Sequence, residues 1–287
     1  MKRTILNFVF FSLFAFVAIG CSKDEEYNAD TAISYYKPLE YDRMVSSIAI
    51  TSNVDNKDYS WTYNFIYDAQ NRIKEINGNT RFYENKRKQY YNGIIQTWYY
   101  YNNETLQVQY RYDIYDEKDK IPTSPGKYYG YFDEDGKLAK FDSYDCEYSG
   151  FELSRAYTDY GTAFGLEYDR NQNIVKTYQL DTLENVIDNT IKTYEYSTKE
   201  NKTNIDFASF LGYNIVERNI PCNEFHPFEL FHLGAFGMFG SRGKNLPKGE
   251  WEFEVVDSVN LDSPQNFLYP VKYVSPQNRT YIIKYKD

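Results

Sequence analysis

The chain is poor in the residues that build most metal and nucleophile sites. It has 2 His and 3 Cys among 287 residues, too few and too scattered for a zinc finger or ribbon. It also lacks an excess of positive charge. Lys and Arg number 32 against 41 Asp and Glu, a net charge of −9, and no local basic stripe offsets it. A nucleic-acid partner is therefore not expected. No Gly-Lys-Ser/Thr phosphate loop and no Gly-x-Ser-x-Gly elbow occurs. Trp is scarce at 3, whereas Tyr at 32 and Phe at 20 are abundant, an aromatic content that excludes a disordered chain. No cofactor and no metal is implied.

Lys2 and Arg3 precede an apolar run from Ile5 to Ile19, broken by Asn7 and Ser12. The run falls short of the roughly 20 residues a spanning helix needs, and no later stretch approaches that length. Val17-Ala18-Ile19-Gly20-Cys21 closes it. That segment resembles a bacterial lipobox, with Ala18 where Leu is commonest and Ile19 where a small residue is commonest. The resemblance implies cleavage after residue 20 and diacylation of Cys21 through its sulfur; an ordinary cleaved signal is the alternative. Residues 1–20 then read as a lipoprotein signal peptide. Three acyl chains on Cys21 would exceed the two-anchor threshold for stable membrane attachment. Ser22-Lys23-Asp24-Glu25-Glu26 follows at once. It resembles the surface-export signal of Bacteroidetes lipoproteins, which implies an outward-facing protein lipid-anchored in the outer membrane; a solvated acidic linker is the plainer reading. Residues 21–42 read as a lipidated flexible tether and 43–287 as one domain.

Strict alternation dominates that domain. Leu106, Val108, Tyr110, Tyr112 and Ile114 interleave with Gln107, Gln109, Arg111 and Asp113. Trp61, Tyr63, Phe65 and Tyr67 form a second row, Trp251, Phe253 and Val255 a third, and Tyr281, Ile283 and Tyr285 a fourth. A period of two sets one row on a core and the other in water, the antiparallel case. Asn77-Gly78 and Asn92-Gly93 fit the positive φ of tight hairpin turns, and turns are expected there.

A longer turn signature recurs at Tyr67–Ile73, Tyr115–Ile121, Phe132–Leu138 and Tyr168–Ile174, with a shorter copy at Tyr101–Leu106. An aromatic ends one strand, the following Asp can cap the turn through its carboxylate, and Ile or Leu starts the return strand. Asn71, Asp119 and Gly136 tolerate a left-handed backbone three residues after the Asp or its equivalent; Gln172 does so less well. These segments resemble the YD repeat of Rhs-type and teneurin shells over the turns only, which implies a long meander and no Rhs function.

Alternation lapses between about 202 and 247. Thr203 can cap a short helix through Leu211, with Gly212 as a stop. Phe225, Phe228, Ala235 and Phe239 follow helical spacing, so a second helix is expected there as a plug or end cap. The lipobox, the Tyr-Asp hairpins, Lys202–Asp206, Gly243–Pro247 and Tyr269–Lys272 together resemble a Bacteroidetes lipoprotein family of unknown function whose fold is described as porin-like. That family offers no catalytic residues to carry over. A true porin would need outward apolar bands and usually a terminal aromatic residue; here the rows opposite the aromatics carry Glu, Lys, Gln and Arg, and the chain ends Lys286-Asp287. The expected fold is all-β: a single large antiparallel β-meander, strongly curled or closed and barrel-like, with a small helical insertion at about 203–240.

Candidate sites are sparse. Trp98 and Tyr100 share one face of a strand and could form a platform on which sugar rings stack; core packing and cross-strand pairing explain them as well. Cys146 and Cys222 could pair as a disulfide or remain buried thiols. His226 and His232, six apart, do not face one ion on a helix, so no metal is expected. Acidic pairs such as Asp133 with Asp135, Glu147 with Glu152 and Glu250 with Glu252 are too numerous to select one for glycoside hydrolysis. Thr31, with Thr182 and Ser258, sits in a triplet resembling the O-glycosylation acceptor of Bacteroidetes envelope proteins. The expected function is a non-catalytic, surface-attached binding or envelope-scaffold lipoprotein, with a glycan or another envelope protein as partner besides the membrane held through its lipid. An extracellular glycan hydrolase and a purely structural lipoprotein are the alternatives.

Overall fold

The computed structural model describes residues 34–38, 41–84, 88–115, 120–121, 125–158, 161, 163–211, 233–240, 243–257, 266–276 and 278–286. Cys21, the Ser22–Glu26 signal, Thr31, Cys222, His226 and His232 lie outside them.

The alternating segments form strands. In chain order these are β1 (Val45–Val54), β2 (Lys57–Tyr67), β3 (Ile73–Glu84), β4 (Gln89–Asn102), β5 (Thr105–Tyr115), β6 (Lys120–Ile121), β7 (Gly126–Phe132), β8 (Leu138–Phe141) and β9 (Tyr144–Ser149). After them come β10 (Glu152–Thr158), β11 (Ala163–Tyr168), β12 (Ile174–Leu180), β13 (Lys192–Thr193), β14 (Tyr196–Glu200), β15 (Asn245–Pro247), β16 (Glu250–Asp257), β17 (Asn266–Val274) and β18 (Arg279–Tyr285). Fifteen of them make one antiparallel ladder running from β13 down to β7, then β5 to β1, then β18, β17 and β16, with β6 paired to β5 off that path. One face carries the core: Trp61, Tyr63 and Phe65 on β2, Tyr99 and Tyr101 on β4, and Leu106 and Val108 on β5 are all buried.

The expected closure does not occur. β1 pairs with β18, so the first and last strands meet in mid-sheet, and among the described residues the edges are β13 and β16. Neither is the sheet strongly curled. The physical reason lies in the chain between those edges. β13 is two residues long, and its successor β14 pairs with β15 in a separate ribbon, so neither supplies a rung to β16.

Of the expected helical insertion only 203–211 and 233–240 are among the described residues; Phe225 and Phe228 of the expected second helix lie outside them. Asp206, not Thr203, is the cap: its carboxylate accepts from Ala208 N at 3.1 Å, and the helix α1 spans only Phe207–Phe210. Residues 233–240 follow one another as turns, without helix, and are nearly all buried. Phe236 packs edge-on against Phe65, Tyr67 and Tyr99, and the Tyr36 hydroxyl donates to its carbonyl at 2.5 Å.

The Asn-Gly expectation is also corrected. Asn77-Gly78 lies inside β3 and Asn92-Gly93 inside β4. Here glycine makes room across the ladder. A Cβ on Gly93 would come within 2.6 Å of both Thr80 Cγ2 and Tyr112 Cε2, and one on Gly78 within 2.7 Å of the Thr62 carbonyl. Tight two-residue turns fall elsewhere: at Asp55-Asn56, where φ is 51° and 59° and Val54 faces Lys57, and likewise where Asn102 faces Thr105, Phe141 faces Tyr144 and Ser149 faces Glu152.

The longer turns follow their expected chemistry. Asp68, Asp133 and Asp169 each accept two backbone N–H groups through one carboxylate oxygen, and the third residue on is left-handed: Asn71, Gly136 and Gln172. Asp181 builds the same turn, with Glu184 left-handed. Ser275 builds it with a hydroxyl, which accepts from Arg279 N at 3.2 Å, and Asn278 is left-handed. The 116–119 turn lies outside the described residues.

Tyrosine has a second use. The large sheet shifts register in six places, and each shift leaves a carbonyl that a phenol satisfies. Tyr67 donates to Val45, Tyr101 to Ile73, Tyr148 to Leu138, Tyr168 to Leu153, Tyr196 to Ile174 and Tyr285 to Pro270, at 2.6–2.9 Å. All six acceptors sit at a shift in the ladder. A β-bulge strands a backbone group, and a buried unsatisfied carbonyl costs about 1–3 kcal/mol.

Candidate functional site

The face opposite the core carries the residues expected to form a platform. Alternation along β4 buries Tyr99 and Tyr101 and sends Trp98 and Tyr100 outward, where both are half-buried. Two further aromatics join them from β7: Tyr129 is 52% exposed and Tyr131 50%. The strand pairing aligns these residues. Tyr100 faces Gln107, which faces Tyr129. Trp98 is flanked by Glu75 and Gln109, and Gln109 faces Lys127. Asn102, Thr105 and Tyr131 form the next row. Strands lie about 4.8 Å apart, so Tyr100 and Tyr129 stand about 10 Å apart across the amide of Gln107. Burial, and then the Glu75 carboxylate, push the Tyr100 phenol above its usual value, so it stays a neutral hydroxyl.

This arrangement offers flat apolar rings separated by amide, hydroxyl and charged side chains. Such a surface stacks on the faces of a sugar chain and hydrogen-bonds its hydroxyl groups. Tyr129 and Tyr131 were not singled out from the sequence. The signal was present, because Lys127, Tyr129 and Tyr131 alternate with Tyr128, Gly130 and Phe132, but both rows are aromatic and neither reads as the outer one.

Several of the acidic residues noted in the sequence lie beside cations. Asp133 and Asp135 both lie against Lys137 Nζ, at 3.7 and 3.3 Å. Glu147 lies 3.9 Å from Arg155 Nε, which leaves it on a strand face with a cation beside it. Glu252 pairs with Lys272, and Glu254 with Arg43 at 2.8 Å. Among the described residues no three His, Cys, Asp or Glu side chains converge as a metal site, and no helix is long and apolar enough to cross a membrane. Cys146 lies on β9 with its thiol pushed up to about 12 by burial, then by Asp145, so it stays protonated at neutral pH.

No family model and no curated protein matches the sequence. Among solved structures the chain is similar to a porin-like protein from Bacteroides uniformis, with 14% identity and a TM-score of 0.44, over 88% of this chain and 100% of that one.

Proposed function

We propose that this protein is a lipid-anchored envelope protein that binds an extended glycan, without cleaving it, on the outer face of its sheet. The observation that carries the reading is the cross-strand patch of half-buried Trp98 and Tyr100 with exposed Tyr129 and Tyr131, beside Gln107 and Gln109. Large aromatics in the open favour a partner over a purely structural role. In this reading residues 1–20 are the signal peptide, Cys21 carries the acyl chains, and the residues between Cys21 and Ser34 space the domain from the membrane, since Tyr35 and Tyr36 already dock on the sheet and its core rather than belonging to the expected 21–42 tether. Ser22-Lys23-Asp24-Glu25-Glu26 directs it to the cell surface.

Two experiments test the parts separately. Labelled palmitate should enter the wild-type chain and not a Cys21→Ser variant, and protease added to intact cells should remove the domain. Titration of the mature chain with xyloglucan, mannan, laminarin and soluble peptidoglycan fragments should perturb Trp emission with at least one of them. That change should disappear in Trp98→Phe. Emission unchanged by all of them, or an undiminished change in Trp98→Phe, overturns the binding face.

A further inference from the structure

A cleft of about 680 Å³ lies on a different part of the molecule, where residues 192–195 face the β17–β18 turn. Its charged lining is Lys192, Lys248, Arg279 and Glu195. Glu195 pairs with Lys248. Three cations against one carboxylate make a locally positive concavity in a chain whose net charge is −9. Focusing of field by the walls of a cleft strengthens its attraction for an anion.

Each cation is held by backbone geometry. Lys192 is set on β13 by its pairing with Thr177, and it makes no ion pair among the described residues. Lys248 follows β15; its N–H donates to the Glu195 carbonyl at 2.8 Å, and its own carbonyl accepts from the Tyr273 hydroxyl at 2.9 Å. Arg279 closes the Ser275 turn through two backbone contacts, Ser275 N to Arg279 O and Arg279 N to Ser275 Oγ. The walls are aromatic and locked. Tyr273 stacks on Trp251 with 4.3 Å between ring centroids, and Tyr281 leans on Tyr273 at 5.4 Å. Tyr194 bonds the Thr177 hydroxyl at 3.0 Å. The volume falls in the range of pockets that enclose a small organic ligand.

We propose that this cleft is a second binding site, for an anionic sugar: a hexose ring bearing a carboxylate or a sulfate ester, held by Lys192 and Arg279 against the tyrosine wall. The proposal adds a site to the glycan-binding reading and does not depend on the outer face.

Calorimetric titration of the full mature chain with trigalacturonate, with a κ-carrageenan tetrasaccharide (sulfate esters and no carboxylate) and with maltotriose tests it. One of the two anionic probes should bind and weaken as salt rises; which one binds separates carboxylate from sulfate recognition. Lys192→Gln should weaken that binding several-fold, and Lys192→Gln with Arg279→Gln at least tenfold. Trp98→Ala should leave it unchanged, which separates this site from the outer face. Because Lys192 is exposed, its single variant keeps the test valid if the Arg279 substitution unfolds the turn. Failure of both anionic probes to bind, equal binding of maltotriose, or unchanged affinity in Lys192→Gln overturns the proposal.

Discussion

The Tyr101 hydroxyl donates to the Ile73 carbonyl at 2.7 Å, at the point where the β2–β3 ladder shifts register. The same relation recurs at the five other shifts of the large sheet, so the tyrosines serve as partners for bulged backbone as well as core volume. Tyr101→Phe and Tyr168→Phe should each destabilise the domain by about 1–3 kcal/mol, because each leaves a buried carbonyl unpaired. Tyr129→Phe, on the open face, should stay within about 0.5 kcal/mol of wild type. Urea unfolding measures all three; equal effects at buried and exposed positions would contradict the relation.

Asp68 and Arg72 form the one ion pair among the described residues with both side chains almost fully buried, at 2.6 Å, and the guanidinium lies 4.4 Å from the Tyr101 ring centroid. Asp68→Ala leaves that charge buried without its carboxylate and should cost about 3–5 kcal/mol. Asp133 holds the same turn with its side chain 32% exposed, and Asp133→Ala should cost about 1 kcal/mol in lost hydrogen bonds. Comparable losses at the two turns would show that burial of the pair is not what matters.

Gly93 is a matter of space, not of turn geometry. Gly93→Ala should destabilise by about 1–3 kcal/mol through overpacking against Tyr112 and Thr80. Asn92→Thr should be neutral or slightly stabilising, since threonine suits a strand. A marked loss of stability in Asn92→Thr would restore the turn reading.

Alkaline titration reads the buried phenols. Burial raises Tyr36, Tyr67, Tyr101, Tyr148 and Tyr168 above the usual tyrosine value. A group whose folded value is raised holds its proton better in the folded chain. Its stabilising contribution is therefore complete below about pH 10 and is lost as pH rises toward the folded value. Absorbance at 295 nm should show this buried set ionising only as circular dichroism reports unfolding. Ionisation of this buried set near pH 10 with the fold intact would contradict the burial.

Strand positions were legible from the period of two, and faces wherever one row was polar; on β7, where both rows are aromatic, the face was not. The Asp-capped turns were legible because carboxylate, left-handed residue and returning Ile or Leu keep fixed offsets. Asp181 was missed because Leu180 stands where an aromatic was expected, and the Asp-Thr-Leu triplet suggested glycosylation instead. The open edges were not legible. Closure depends on whether β13 reaches β16, and nothing local in Lys192-Thr193 shows that the chain turns away to pair with Asn245–Pro247. Of the proposed binding face, Trp98 and Tyr100 could be read from one strand, but Tyr129 required the register of β5 with β7.

The central claim is that the outer aromatic stripe binds glycan. The most direct measurement is a glycan array probed with the mature chain and with a Trp98→Ala, Tyr100→Ala, Tyr129→Ala variant, with the melting temperature of each recorded. Loss of about 1.4 kcal/mol of stacking per ring lowers affinity tenfold each. The account predicts signals for the wild-type chain that fall by two orders of magnitude or more in the variant, while the melting temperature stays within a few degrees and no shortened glycan is released. Signals of equal strength from both proteins, or none from either, would contradict it.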